Sequence, residues 1–218
     1  MQKTSTAIIQ EGSVKSEIKA VIWDMGGVIL RTEDHTPREE LAKRYQVPLK
    51  ELYLLVFESD TAQEAEKGNV TAAAHWDRIR AHFNLTAERL LDFQNDFWAG
   101  DQVDRELLVF IQSLGTRCKI ALLSNAWSDA RVAIEERYQF LKMFDQVYFS
   151  AELGMVKPDP AIYRLVLDKL GVQPHESIFV DDMPQNVAGA QEVGIHAVQF
   201  KSREQTIADI ERLFTRGS

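Results

Sequence analysis

The sequence predicts an α/β fold in which a parallel sheet is covered by helices on both faces and a helical module is inserted after the first strand. Three observations lead there. Short, almost uninterrupted apolar runs recur along the chain, segments of helical period lie between them, and residues 32–100 carry helical period with no convincing strand. Strands buried on both faces read as continuous apolar runs, whereas a one-sided sheet alternates apolar with polar residues. Strands that alternate with helices fit parallel order, because a parallel neighbour is reached only through a long crossover.

In chain order, "IKAVIW" (Ile18 to Trp23) is the first strand. The helical block follows, with "PREELAKRY", "LKELYLLVFES", "TAAAHWDRIRAHF" and "TAERLLDFQNDFW". Thr71 and Thr86 stand where a hydroxyl can accept a first-turn amide as N-cap. The α/β pattern resumes with the helix "DRELLVFIQSLG", stopped at Gly115, and the strand "CKIALL". Next come the helix "DARVAIEERY", the strand "QVYF", and "PAIYRLVLDKLG", which has Pro160 near its start and Gly171 at its end, as helices prefer. "SIFV", the short helix "NVAGAQEVG", the strand "HAVQF" and the helix "REQTIADIERLF" complete the pattern. The expected division is a discontinuous core of residues 18–31 and 101–218, with residues 32–100 as a helical cap.

Composition narrows the function. With 218 residues, 45% of them hydrophobic, the chain can bury a substantial core. Its formal charge of -8 argues against a nucleic-acid surface or an anionic membrane face. A single cysteine, Cys118, excludes an internal disulfide framework and fits a reducing compartment; it reads as a small core residue. No apolar run approaches the ~18 residues of a membrane span. The N-terminal "MQKTSTAIIQEGSVKSE" lacks a hydrophobic signal region and reads as a frayed leader. A cytoplasmic monomer or homodimer is expected.

The chemistry sits at strand ends. Asp24 follows the first strand, Ser124 and Asn125 follow "IALL", Lys157 lies in "GMVKPDP" beyond the third strand, and Asp181 and Asp182 follow "SIFV". In an open parallel sheet the carboxyl ends of the strands border the ligand crevice. Singly, each residue has an ordinary explanation: a turn acceptor at Asp24, a helix cap at Ser124, a surface lysine, an exposed turn acid. Together they suit one reaction. Asp24 would attack an electrophilic phosphorus or carbon to form a covalent ester, Ser124 with nearby amides would hold non-bridging oxygens, and Asn125 would contact the substrate. Lys157 would neutralise transferred charge. Asp24, Asp181 or Asp182, and a backbone carbonyl at Gly26 would give Mg²⁺ its hard oxygen ligands. Asn186 would orient an acid or a water. The five histidines form no zinc-like spacing, and "DMGGV" lacks the trailing lysine of a nucleotide loop.

Over about residues 18–200 the sequence resembles the haloacid dehalogenase-like hydrolase superfamily, in the order and spacing of "VIWDMGGVIL", "LLSN", "GMVKPDP" and "IFVDDMPQNVAGAQEVG". The resemblance implies a Rossmann-like core with a helical cap, Asp24 as nucleophile, Ser124 and Lys157 as phosphate ligands, and Asp181 and Asp182 as the metal-side acids, with Asp182 expected closer to the metal. The "DMGGV" form is similar to the sugar-phosphate phosphatase and epoxide-hydrolase N-terminal-domain groups. One departure stands out. Phosphatases of the superfamily usually carry a second aspartate, for proton transfer, where this chain has Gly26. Mg²⁺-dependent hydrolysis of a small phosphorylated metabolite is the first expectation, because the adjacent acids suit a metal and the aromatic residue typical of dehalogenases after the nucleophile is missing. A 2-haloacid dehalogenase, or a catalytically weak binding protein of the same fold, are the alternatives.

Substrate selection falls to the cap and the loop after the nucleophile. "EAEKGNVTAAAHWDRI" offers Glu66, Lys67, Gly68, His75 and Trp76, of which Trp76 reads as packing the cap's own interior. His35 is placed to enter the cleft and to supply the proton that Gly26 cannot, and Trp127, after "SNA", to line its entrance.

Overall fold

A four-residue strand, β1 (Ala20–Trp23), runs through the centre of the molecule with every side chain buried. It belongs to a computed structural model that describes residues 17–217. The expected leader lies, but for Glu17, outside the described residues. β1 pairs in parallel with β4 (Lys119–Ser124) on one side and β6 (Ser177–Asp181) on the other. β5 (Gln146–Phe149) and β7 (His196–Gln199) extend the sheet, giving the order β5-β4-β1-β6-β7. The strand order reverses on either side of β1, as in Rossmann-like sheets, and places the switch point beside it.

Burial on both faces explains the continuous apolar runs. Ala20 and Ile22 of β1 pack with Ile162, Tyr163 and Leu167 of α9 (Pro160–Leu170) and Ala190 of α10 (Pro184–Glu192). Val21 and Trp23 face the opposite layer, built from Leu107, Ile111 and Leu114 of α6 (Arg105–Leu114), Ile134 of α7 (Ala130–Tyr138) and Ile210 of α11 (Arg203–Gly217). Each large apolar side chain so enclosed is worth about 1.5–3 kcal/mol, which makes the sheet the rigid support for whatever its edges carry.

The inserted block is helical: α1 (Thr36–Arg44), α2 (Leu49–Tyr53) running into a π-helical turn at Leu54–Glu58, α3 (Asp60–Glu66), α4 (Ala72–His82) and α5 (Ala87–Phe97). Thr71 and Thr86 accept from the amides of Ala74 and Arg89 at 3.1 and 3.2 Å, and Ser59 caps α3 in the same way. Trp76 packs with Leu41, Leu52, Ile79, Phe93 and Phe97 in a core of the block's own.

Sequence pattern missed several short elements, α3 among them. β2 (Leu30–Thr32) and β3 (Asp101–Val103) pair antiparallel and form the stem of the insertion. They carry Arg31, Asp101 and Gln102 on a half-buried ribbon, so no apolar run announces them. Buried Arg38 fixes the stem instead, reaching Asp101 at 2.7 and 2.9 Å beneath the Phe97 ring. α8 (Ser150–Leu153) is a single turn after β5, too short for a period to show. No helix among the described residues is long and apolar enough to cross a membrane.

Candidate active site

Register creates the site. Trp23 lies beside Val180, and the Asp24 amide donates to the Val180 carbonyl at 2.8 Å, so Asp24 and Asp181 leave adjacent strands at the same level. Side chains alternate along a strand, so Asp24 shares the face of Ile22, and Asp181 that of Phe179, which is the same face of the sheet. Two carboxylates are thereby driven together, with Asp24 6% and Asp181 0% exposed.

Lys157 makes the pair tenable. Its Nζ donates to Asp24 Oδ1 at 2.7 Å and to Asp181 Oδ2 at 2.6 Å, and it is itself buried. Asn125 fixes the lysine through its backbone: Nδ2 donates to the Lys157 carbonyl at 3.0 Å and Oδ1 accepts from the Lys157 amide at 2.9 Å. The Asn125 carboxamide, expected at the substrate, is therefore occupied in positioning Lys157. Asp181 is pinned further by the Met183 amide at 2.8 Å and by Asn186 Nδ2 at 3.1 Å to both oxygens. Tyr163 in turn donates its hydroxyl to the Asn186 carbonyl. Ser124 ends β4, buried, its hydroxyl making a long 3.5 Å contact with the Asn125 carbonyl.

Asp182 completes the set. One oxygen each from Asp24, Asp181 and Asp182 lies within 4.8 Å of the others. The turn after Asp24 makes room for it: Gly27 has φ +79°, and a Cβ there would stand 2.3 Å from Asp182 Oδ2. Gly26 is different. A Cβ on it would meet nothing within 4 Å, and its φ is not one that requires glycine, so no close contact demands a glycine here.

The electrostatics are those of a crowded anionic pocket. Burial pushes the Asp24 carboxyl up to about 7, with the Asp181 charge adding and Lys157 opposing. Burial and Asp181 raise Asp182 as well. Burial alone would lower the Lys157 ammonium, but Asp24 and Asp181 outweigh it and hold the group above its ordinary range. Three carboxylates against one ammonium leave an excess of negative charge in hard oxygen donors, and these residues fit a divalent cation such as Mg²⁺.

Two expected residues lie in other company. His35 is exposed at the start of α1, its Nδ1 3.5 Å from the Tyr53 hydroxyl. Trp127 is half-buried in the aromatic cluster of the inserted helices, with His75 at 4.7 Å and Trp76 at 5.5 Å between ring centroids. Buried His75 is held by Thr61 and by the Val56 carbonyl, and burial lowers its basicity. The residue that sequence reasoning passed over is Gly27; its signal was the second glycine of the pair, which a turn alone did not require. Glu66 was read only as part of the cap, yet its charge interacts with that of Lys157.

Residues 18–194 match the family model for haloacid dehalogenase-like hydrolases. The chain belongs to that family. Among similar proteins, a mouse protein, acyl-CoA dehydrogenase family member 10, is 40% identical over 211 residues, covering 89% of this chain but only 19% of the mouse protein. The D-ribitol-5-phosphate phosphatase of Bacteroides thetaiotaomicron is 26% identical over 192 residues, covering 84% of this chain and 91% of that enzyme. A solved haloacid dehalogenase-like enzyme from the same bacterium, in complex with magnesium and inorganic phosphate, superposes with a TM-score of 0.70 at 26% identity, over 84% of this chain and 94% of that one.

Proposed function

We propose that this haloacid dehalogenase-like hydrolase is a Mg²⁺-dependent phosphatase of small phosphorylated metabolites, sugar phosphates foremost, working through an aspartyl-phosphate on Asp24. The observation that carries this reading is Lys157 held between Asp24 and Asp181 with the Asp182 carboxylate beside them. A phosphoryl group needs a nucleophile and positive charge at one point, and these residues supply both. The phosphatase and the magnesium- and phosphate-bound enzyme similar to this chain support the same chemistry.

In this mechanism the Asp24 carboxylate attacks phosphorus in line with the leaving oxygen. Lys157 draws charge from the non-bridging oxygens, and the Ser124 hydroxyl donates to one of them. Asn125 and Asn186 hold Lys157 and Asp181 so that nothing reorganises as charge moves. Both Asp181 oxygens are already engaged, which makes Asp182 the freer ligand for the cation, with Asp24 and the Gly26 carbonyl completing the protein's share. Bound there, Mg²⁺ would offset the anionic charge and orient the phosphoryl oxygens. Water then hydrolyses the acyl phosphate and frees Asp24. His35 and Trp127 are left to the mouth of the cleft, where a substrate's distal groups would pass.

A panel of phosphomonoesters including sugar 1-phosphates, with a 2-halo acid as control, tests this directly. Phosphate release that requires Mg²⁺ and disappears in Asp24→Asn is expected. Halide release without metal, or no turnover on any ester, would overturn it.

A further inference from the structure

An alkoxide is a poor leaving group without a proton, and the site as built offers none on the side where the proton is needed. Asp24, Asp181 and Lys157 all lie at the sheet, bound to one another. In-line attack by Asp24 expels the leaving oxygen on the opposite side, away from the sheet. The elements that pack over the carboxyl ends of the strands are those of the insertion. Gly68 (φ +76°) rests so closely on the Ala151 carbonyl that a Cβ would stand 2.3 Å from it. The Ala151 amide donates to Ala126, two residues beyond Ser124, and the Ala72 amide donates to Ser128 Oγ at 3.2 Å.

Glu66, two residues before Gly68, is the last residue of α3 and is half-buried. Among the described residues it makes no hydrogen bond and no ion pair in the structure, in contrast to Glu64, which is tied to Lys67 and Asn69 at 2.9 and 2.7 Å. Burial holds the Glu66 carboxyl above the ordinary carboxylate range, against the opposing charges of Lys157 and of Lys67, its neighbour in the chain. An uncommitted carboxyl thus lies two residues from Gly68, which docks onto Ala151 and, through it, onto the segment that follows Ser124.

We infer that Glu66 is the general acid–base group of the phosphatase proposed above, on which reading this inference rests, and that it serves from the cap in place of the side chain Gly26 lacks. In the first step the Asp24 oxygen bonds to phosphorus, the bond from phosphorus to the ester oxygen breaks, and the Glu66 proton passes to that oxygen to release the alcohol. In the second, the Glu66 carboxylate takes a proton from water as the water oxygen bonds to phosphorus. The aspartyl oxygen–phosphorus bond breaks, phosphate departs, and Asp24 and protonated Glu66 are restored. Exposed His35, bonded to Tyr53, is not needed for the proton.

Leaving-group dependence separates this role from a structural one. The rate of phosphoenzyme formation from an alkyl phosphate and from p-nitrophenyl phosphate, whose phenolate leaves unprotonated, is measured by rapid quench in the parent, Glu66→Gln and Glu66→Asp. Expected is a loss of roughly 10²-fold or more on the alkyl ester in Glu66→Gln, a smaller loss in Glu66→Asp, and rates of formation of the phosphoenzyme from p-nitrophenyl phosphate within about twofold of the parent. Equal losses on both esters, or no loss on either, would overturn the role of Glu66 while leaving the phosphatase reading intact. Should the parent release phosphate from neither ester with Mg²⁺, the phosphatase reading itself falls, and the inference with it.

Discussion

Asp24 lies buried among like charges, and that arrangement has a cost when no cation is bound. Its carboxyl moves from 3.8 in the unfolded chain up to about 7 in the fold. The contribution of such a group is fully present below the unfolded value and is lost as pH rises through the folded one. Metal-free protein should therefore weaken between about pH 4 and pH 7. Asp24→Asn removes that loss: above about pH 7 it should unfold at higher denaturant than the metal-free parent, by up to about 4 kcal/mol, while having no phosphatase activity. Parent and variant with the same pH-dependence of stability would contradict the assignment. The two glycines beside Asp24 should respond oppositely. Gly27→Ala places a methyl on the Asp182 carboxylate in a left-handed backbone and should cost about 1–3 kcal/mol and weaken Mg²⁺ binding. Gly26→Ala meets no neighbour and should melt within about 1 kcal/mol of the parent. Calorimetric melts and Mg²⁺ titration of both variants check the contrast.

At the scale of elements, the turn joining α3 to α4 couples the insertion to the sheet. Gly68→Ala sets a methyl against the Ala151 carbonyl, and because that atom is backbone it cannot swing aside. The expected result is a loss of about 1–3 kcal/mol together with slower turnover of bulky substrates, measured by denaturant unfolding and steady-state kinetics. Strands and long helices were legible in sequence because each announces itself by period and by its stop signals. "QVYF" coincides with β5, and Gly115 and Gly171 do end α6 and α9. The β2–β3 stem was not legible, since its order comes from Arg38 and Asp101, residues 63 positions apart whose pairing no local pattern encodes. The surroundings of Trp127 were hidden for a related reason: it follows a core strand but packs against aromatic rings from the insertion, which its sequence neighbours do not report.

Across the whole molecule, residues from distant parts of the chain meet because five parallel strands end at one edge. Asp24 and Lys157, 133 positions apart, are brought to 2.7 Å by strand order and register, and the types of residue at the strand ends were enough to anticipate their meeting. What sequence could not give was the division of labour within the cluster. That Asn125 serves Lys157, that Asp181 is occupied on both oxygens, and that Glu66 is uncommitted are facts of direction and distance. The central claim is that Asp24 accepts a phosphoryl group beside a cation held by acids from both ends of the fold. Trifluoroberyllate mimics a phosphoryl group bound to a carboxylate and needs a neighbouring divalent cation, so its effect on thermal unfolding tests that claim without knowledge of the natural substrate. The melting temperature of the parent should rise by a few degrees when Mg²⁺ and trifluoroberyllate are present together, beyond the effect of either alone, and Asp24→Asn should show no such rise. No added rise in the parent, or the same rise in Asp24→Asn, would contradict it.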